Sequence, residues 1–438
     1  MKLSLSDPRR QPSSSWRGNQ PQPSQTTLVM PLLLLMLAVP TIRQMEPSAA
    51  LWATPAILLA AMVIAWAAES AQFFIAQGFA LAILAWLQTL PEFAVEAVLA
   101  WRQRTDLLMA NLTGSLRLLT GLGWPMIYFV AAAAHRVRRK KPLKSIHLSE
   151  EHCVEVLGLF AALLYAMVIY VKGTLTVWDG LILVLIYAIY LMILCKMPPQ
   201  EAEGVEELEV IPRTIVKSRR PIRIAVITGL FVIGGLLIYF MAEPFLGSLL
   251  AISVALGVQP FVFVQWVAPF VSEFPEKVSA FYWARTIDRA SMALMNMVSS
   301  NINQWTLLAA MLPILYSMSC GTPTPIVFDQ QQELELLMTI GQSLVGMMFL
   351  INMRLDWWEA TVLFTLWGVQ FVLSPIQPGP GFIRTLAQHI HWYVTVAYFA
   401  WFVLGFVRYL TGGRKLEAFH LFGRMWREHI RPQQAAVK

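Results

Sequence analysis

Charged side chains are scarce. They make up 13% of the 438 residues, against about a quarter in soluble domains. So little charge cannot cover a water-soluble chain of this length, which excludes a disordered chain and a typical cytosolic enzyme. Cysteine is scarcer still. Cys153, Cys195 and Cys320 are odd in number and far apart, so they supply neither a disulfide framework nor a CxxC pair. No HExxH, GxSxG or P-loop occurs, so no hydrolase or nucleotide site is supported. No enzymatic activity and no cofactor are expected. The segment 314–333 has no Lys or Arg at all.

Apolar residues, at 57%, are what the chain has in excess. They cluster in runs at 28–42, 52–68, 77–100, 106–133, 152–171, 176–195, 222–242, 258–283, 288–313, 334–352, 358–374 and 388–410. Runs of about 20 apolar residues are the length that crosses a bilayer. The expected fold is an all-α polytopic membrane protein with lipid as its surroundings. The run 28–42 could be a signal-peptide core, but no small-x-small cleavage site follows it, and a retained helix is expected.

The remaining charge sets the organisation. A polar tail over 1–26 and a basic tail over 411–438 flank the apolar runs. The extra N-terminal helix spans 27–43, a first half 49–195, a second half 222–375 and an extra C-terminal helix 388–410. Between the halves, 196–221 contains PPQEAEGVEELEV and then KSRR, and is expected to be a solvated hinge loop too short for a core. Basic residues concentrate in 134–149, in 196–221 and after Thr411. The positive-inside rule then puts both termini in the cytoplasm. Arg102 and Arg104 fall on the other side and fit poorly. The net charge of +7 lies in loops and is no nucleic-acid footprint. The run 135–144 sets topology or meets anionic headgroups. Segment 243–257 could be an amphipathic surface helix.

The chain repeats itself. Trp178-Asp179 matches Trp358-Glu359 and Glu155 matches Glu335, both 180 residues apart. Leu90-Pro91-Glu92 matches Phe274-Pro275-Glu276 at 184, and Asn111-Leu-Thr-Gly-Ser115 matches Asn296-Met-Val-Ser-Ser300 at 185. Each half holds five runs, an odd number, so the second half is inverted relative to the first. Inverted repeats are a secondary-transporter architecture, with the site at the midplane. The full expectation is five plus five transmembrane helices with one extra at each end.

Pro91-Glu92 and Pro275-Glu276 lie inside apolar runs. Proline removes a backbone donor and clashes with the preceding turn, freeing carbonyl oxygens. A carboxylate beside such a break is a hard oxygen site suited to Ca2+, and at membrane depth it is a functional candidate. Asn111, Thr113, Gly114 and Ser115, with Asn296, Ser299, Ser300, Asn301, Asn303 and Gln304, add neutral oxygens, though small polar residues also serve helix packing.

These blocks resemble the two α-repeats of the cation/Ca2+ exchanger superfamily, with its G-T-S-L-P-E and G-N-V-x-G-S-N-I-x-N patterns. The first copy reads Leu87-Gln-Thr-Leu-Pro-Glu92 and Ala110-Asn-Leu-Thr-Gly-Ser-Leu-Arg-Leu-Leu119. The second reads Val271-Ser-Glu-Phe-Pro-Glu276 and Met295-Asn-Met-Val-Ser-Ser-Asn-Ile-Asn-Gln304. The resemblance implies an antiporter of Ca2+ against Na+ or H+, in which Glu92 and Glu276 are the central cation ligands. Thr89, Ser115, Ser272 and Ser300 match its hydroxyl positions, and Asn111, Asn296 and Asn301 its asparagines. Leu116 and Leu119 replace two further asparagines, and Glu273 stands in a serine position. Arg117 is an added cation. It is expected to pair with Glu273 or with Glu96, which lies four residues after Glu92 on the same face, and so to modulate the site. An arginine there could also replace one of the family's cations. These departures leave a second reading, a non-transporting exchanger-like scaffold or regulatory subunit. A prokaryotic cytoplasmic membrane is the expected location, with the oligomeric state open.

Weaker signals lie outside the repeats' motifs. His389-Ile-His391 reads as interfacial more than as a metal pair. The Met-rich stretch 292–297 reads as packing, and Trp357, Trp358 and Trp392 as an interfacial belt.

Overall fold

The structure, a computed structural model, describes residues 46–74, 80–197, 205, 208–286, 289–412 and 415–430. The polar tail 1–26, the helix 27–43 and the end of the basic tail lie outside the described residues. Helix dominates, and among the described residues seven helices are long and apolar enough to cross a membrane by length and composition.

The first half opens with α1 (Ala50–Ala71). The apolar run 77–100 then forms two helices, α2 (Ala80–Gln88) and α3 (Leu90–Trp101), parted at Thr89. Pro91 lies in the first turn of α3, where its missing N–H has no intrahelical carbonyl to serve. Next come α4 (Thr105–Leu118), a π-helical turn over Leu119–Gly123, and α5 (Trp124–Arg139). After strand β1 (Ser145–His147) follow α6 (Cys153–Lys172), strand β2 (Thr174–Leu175) and α7 (Val177–Leu194).

The region between the halves contains a helix where it is described. Helix α8 (Val210–Lys217) buries Pro212, Ile215 and Val216. Trp66 of α1 donates its indole N–H to Glu209 Oε2 at 3.1 Å. The expected solvated hinge thus folds back against α1 where it is described, because Pro212, Ile215 and Val216, three and four residues apart, form one apolar face.

The second half repeats the pattern. Helix α9 (Arg220–Ala255) is 36 residues long. It runs through Pro244, so 243–257 is not a separate surface helix. Burial of Ala242, Glu243, Phe245 and Leu246 around the proline holds the helix through the lost hydrogen bond. Arg102 pairs with Glu243 at 3.6 Å, which accounts for its poor fit to the charge pattern: it has a local partner. Then α10 (Pro260–Ser272) and α11 (Phe274–Ala284) part at Glu273. They are followed by α12 (Ala290–Asn303), a second π-helical turn over Gln304–Leu308, and α13 (Ala309–Cys320). Strand β3 (Ile326–Val327), α14 (Gln330–Leu350), strand β4 (Arg354–Asp356) and α15 (Trp357–Leu373) complete the half. Beyond it lie α16 (Phe382–Gln388), α17 (Ile390–Leu410) and α18 (Glu417–Met425).

Irregularities recur at equivalent places. The two helix breaks, Thr89 and Glu273, keep the 184-residue offset of the sequence repeat, and the two π turns keep its offset of 185. Helices α7 and α15 both begin with a capping box, Thr176 with Asp179 and Asp356 with Glu359. Strand β1 pairs antiparallel with β4 and β2 with β3. Each half therefore trades its strand before the fourth helix for the other's strand before the fifth, the exchange a two-fold relation between the halves gives.

Candidate ion-binding site

The two helix breaks bring acidic side chains to the interior. Glu92 sits in the first turn of α3 and Glu276 in the first turn of α11. Helix N-termini carry partial positive charge, which favours carboxylates there. Glu92 and Glu96 are fully buried, and Glu273 and Glu276 nearly so. The charges of Glu273, Glu96 and Glu276 all bear on Glu92. Acids from both halves thus share one apolar interior.

Hydrogen bonds between the halves tie this group together. Gln304, in the second π turn, donates to Glu92 Oε2 at 2.6 Å and to Glu273 Oε1 at 2.9 Å. A single amide therefore links a carboxylate of each half. Ser115 of α4 donates its hydroxyl to Glu273 and faces Glu92. Ser300, its counterpart in α12, faces Glu276 without donating a hydrogen bond to it, and neither Glu276 oxygen has a hydrogen-bond partner. Glu92 Oε1, Asn111 Oδ1 and Asn296 Oδ1 are likewise buried oxygens with none. Buried oxygens are normally satisfied, so this group is suited to receive a proton or a cation. Among the described residues, no three His, Cys, Asp or Glu side chains close into a metal cage; binding would have to draw them inward.

The other expected site residues divide. Asn111 donates to Glu96 Oε1 at 2.9 Å, and Asn296 to Gln88 Oε1 at 3.2 Å. Thr89 and Ser272 flank the breaks, their hydroxyls bonded to the Trp86 and Ala268 carbonyls. Asn301 lies at the seam of α12 with α4. Its amide reaches the Leu116 carbonyl at 3.5 Å, and its oxygen accepts from Thr120 at 3.4 Å. No hydrogen bond joins Asn301 to the carboxylates. The packing of α4 on α10 is tight at Gly114, where an added Cβ would lie 1.9 Å from the Gln265 carbonyl oxygen.

Arg117 does not pair with Glu273 or Glu96. Its Nη1 lies 2.6 Å from Glu335 Oε2 on α14, both side chains fully buried. Its Nε donates to the Thr113 carbonyl at 3.1 Å, and its guanidinium lies 5.3 Å from the Trp266 ring centre. Helical geometry is the reason. Residues two apart point to nearly opposite sides, whereas residues four apart share a face. Asn111 and Ser115 form the stripe toward the carboxylates, and Thr113 and Arg117 form the other. Glu335 also meets His391 of α17 and accepts from Gln265 at 2.9 Å. His391 in turn contacts the Ser374 hydroxyl at 2.8 Å. Its ring is engaged by Glu335 and Ser374 and does not form a metal pair with His389.

Three participants escaped the sequence reading. Lys277 is buried, with its Nζ 2.5 Å from Glu273 Oε2. Gln88 holds Asn296. Glu69 of α1 accepts from Ser279 at 2.9 Å, and lines a cavity of about 650 Å³ with Trp66, Glu209 and Arg289. A Lys inside an apolar run is itself a signal, and it was available at 277.

Two repeated halves that meet at broken helices carrying carboxylates point to a membrane exchanger class. Residues 49–196 and 226–374 match the family described as sodium/calcium exchanger protein. The chain belongs to that family, and with it to the cation/Ca2+ exchanger superfamily. Among solved structures, it is similar to one described as the H+/Ca2+ exchanger CAX. That similarity is 30% identity and a TM-score of 0.75 over 91% of this chain and 96% of that one. Native YfkE shares the fold at 16% identity and a TM-score of 0.54, over 73% of this chain and 90% of that one. No curated protein sequence matches. Family and apolar helices together make this an integral membrane protein.

Proposed function

We propose that the protein is a secondary antiporter exchanging Ca2+ for H+ or Na+ by alternating access at Glu92 and Glu276. The carrying observation is the convergence of both repeats on one carboxylate group through Gln304 and Ser115. Each half crosses the membrane five times in this reading, with the two outer helices as additions and both termini in the cytoplasm. The inner membrane of a prokaryote is the setting that the short region between the halves suits.

Ca2+ prefers six to eight oxygens. Glu92 and Glu276 supply carboxylate oxygens, with Ser115, Ser300, Asn111, Asn296, Thr89 and Ser272 as neutral donors. Glu273 adds a third carboxylate, and Glu96 supports Asn111. Protons compete for the same oxygens, and that competition couples the two fluxes. The 30% identity to an H+/Ca2+ exchanger favours H+ as the counter-ion. The cavity at Glu69 and Glu209 is also lined by Ser279, three residues after Glu276 on α11.

Ca2+ binding to the purified protein tests the site. Glu92→Gln and Glu276→Gln should each abolish it while the protein stays folded. Undiminished binding in both variants would remove the site from this place.

A further inference from the structure

Lys277 is a fixed cation among the site's carboxylates. It lies four residues after Glu273, one turn along the same face, and its ammonium meets Glu273 Oε2 at 2.5 Å. Lys277 is 6% exposed and Glu273 2%, so water screens the pair little. The partner oxygen, Oε1, is turned to the first half, where Ser115 and Gln304 donate to it. Glu273 thus uses one oxygen to join the halves and the other to hold the ammonium. Lys277 also acts electrostatically on Glu276, the next residue back.

Charge counting gives this arrangement a meaning. Glu92, Glu96, Glu273 and Glu276 carry four formal negative charges when ionised, and Lys277 removes one. Three remain, so a divalent cation, which brings two charges, is favoured over a monovalent one. An ammonium on a side-chain tether cannot diffuse away, so its local concentration exceeds that of any dissolved monovalent ion. A Na+ ion would have to displace it from Glu273 for one unit of charge, whereas Ca2+ brings two to the carboxylates that remain.

We propose that Lys277 is a built-in monovalent cation that takes the place of Na+ at Glu273 and makes Ca2+ binding independent of Na+. This rests on the Ca2+ site proposed above. It assigns the role of internal cation to Lys277 and not to Arg117, whose charge is spent on Glu335. Lys277 is a specificity-determining residue that acts through Glu273.

The test is Ca2+ binding by the purified full chain in NaCl and in choline chloride at equal ionic strength. Wild type should give the same Ca2+ affinity in both salts. Lys277→Gln should lose Ca2+ affinity in NaCl relative to choline by about tenfold, since Na+ can now reach a bare carboxylate. Lys277→Arg, which keeps the charge, should retain indifference to Na+. A merely structural lysine would change stability but create no Na+ sensitivity. The proposal is overturned if Na+ competes in wild type, or if Lys277→Gln stays indifferent to Na+. Should Lys277→Gln not fold, the salt comparison in wild type and Lys277→Arg decides. Absence of Ca2+ binding by wild type in either salt would instead sink the Ca2+ site itself, and this proposal with it.

Discussion

At the scale of residues, α4 shows how one helix serves two interiors. Asn111 and Ser115 face the carboxylates, while Thr113 and Arg117 face α10 and α14. Removing one partner of a buried ion pair strands the other. Arg117→Met should therefore destabilise the protein by about 3–5 kcal/mol, and Arg117→Met with Glu335→Met should recover much of it. Thermal denaturation checks both. Ca2+ affinity of a folded Arg117→Met variant should stay within about threefold, under 1 kcal/mol; a larger loss would return Arg117 to the site. Glu92 and Glu276 were legible in the sequence because Pro-Glu in an apolar run is costly. The partner of Arg117 was not legible, because it lies 218 positions away and the choice between stripes needs the helix phase. Lys277 was legible and passed over: a lysine four residues from Glu273 carries its own pairing signal.

Elements explain why the carboxylates can gather at all. Each apolar run that carries Pro-Glu is divided into two helices, and the division exposes a helix N-terminus to the acid. Restoring the backbone donor at Pro275 should let α10 and α11 fuse. Pro275→Ala should then melt no lower than wild type but bind Ca2+ about tenfold more weakly, roughly 1.4 kcal/mol; unchanged binding would deny the break a role. The seam of α4 with α10 makes an opposite prediction. Gly114→Ala places a Cβ 1.9 Å from a backbone oxygen, so overpacking of about 3 kcal/mol or more should lower Tm. The breaks were readable from proline, and the repeat from matched motifs. The π turns were not, because nothing in Leu119–Gly123 or Gln304–Leu308 marks a wider helical turn locally. Nor was the continuity of α9 through Pro244, which packing on both sides of the proline sustains.

For the whole molecule, the two-fold exchange of β1 with β4 and β2 with β3 is the clearest mark of inverted halves. Repeat spacings near 180 announced the two related halves; the inversion was an expectation drawn from an odd number of runs per half. Helix α17 was read only as an addition. Its His391 reaches Glu335 and through it Arg117 of the first half, a contact across the fold that no local pattern encodes. The scaffold reading loses one of its supports, since Arg117 points away from the carboxylates. The central claim is exchange at a site shared by both halves. Its most direct test is simultaneous recording of Ca2+ and H+ movement in sealed proteoliposomes without Na+. Ca2+ should enter against an outward H+ flow, and both movements should vanish together in Glu92→Gln and in Glu276→Gln. Ca2+ movement that needs Na+, or that persists in either variant, would contradict it.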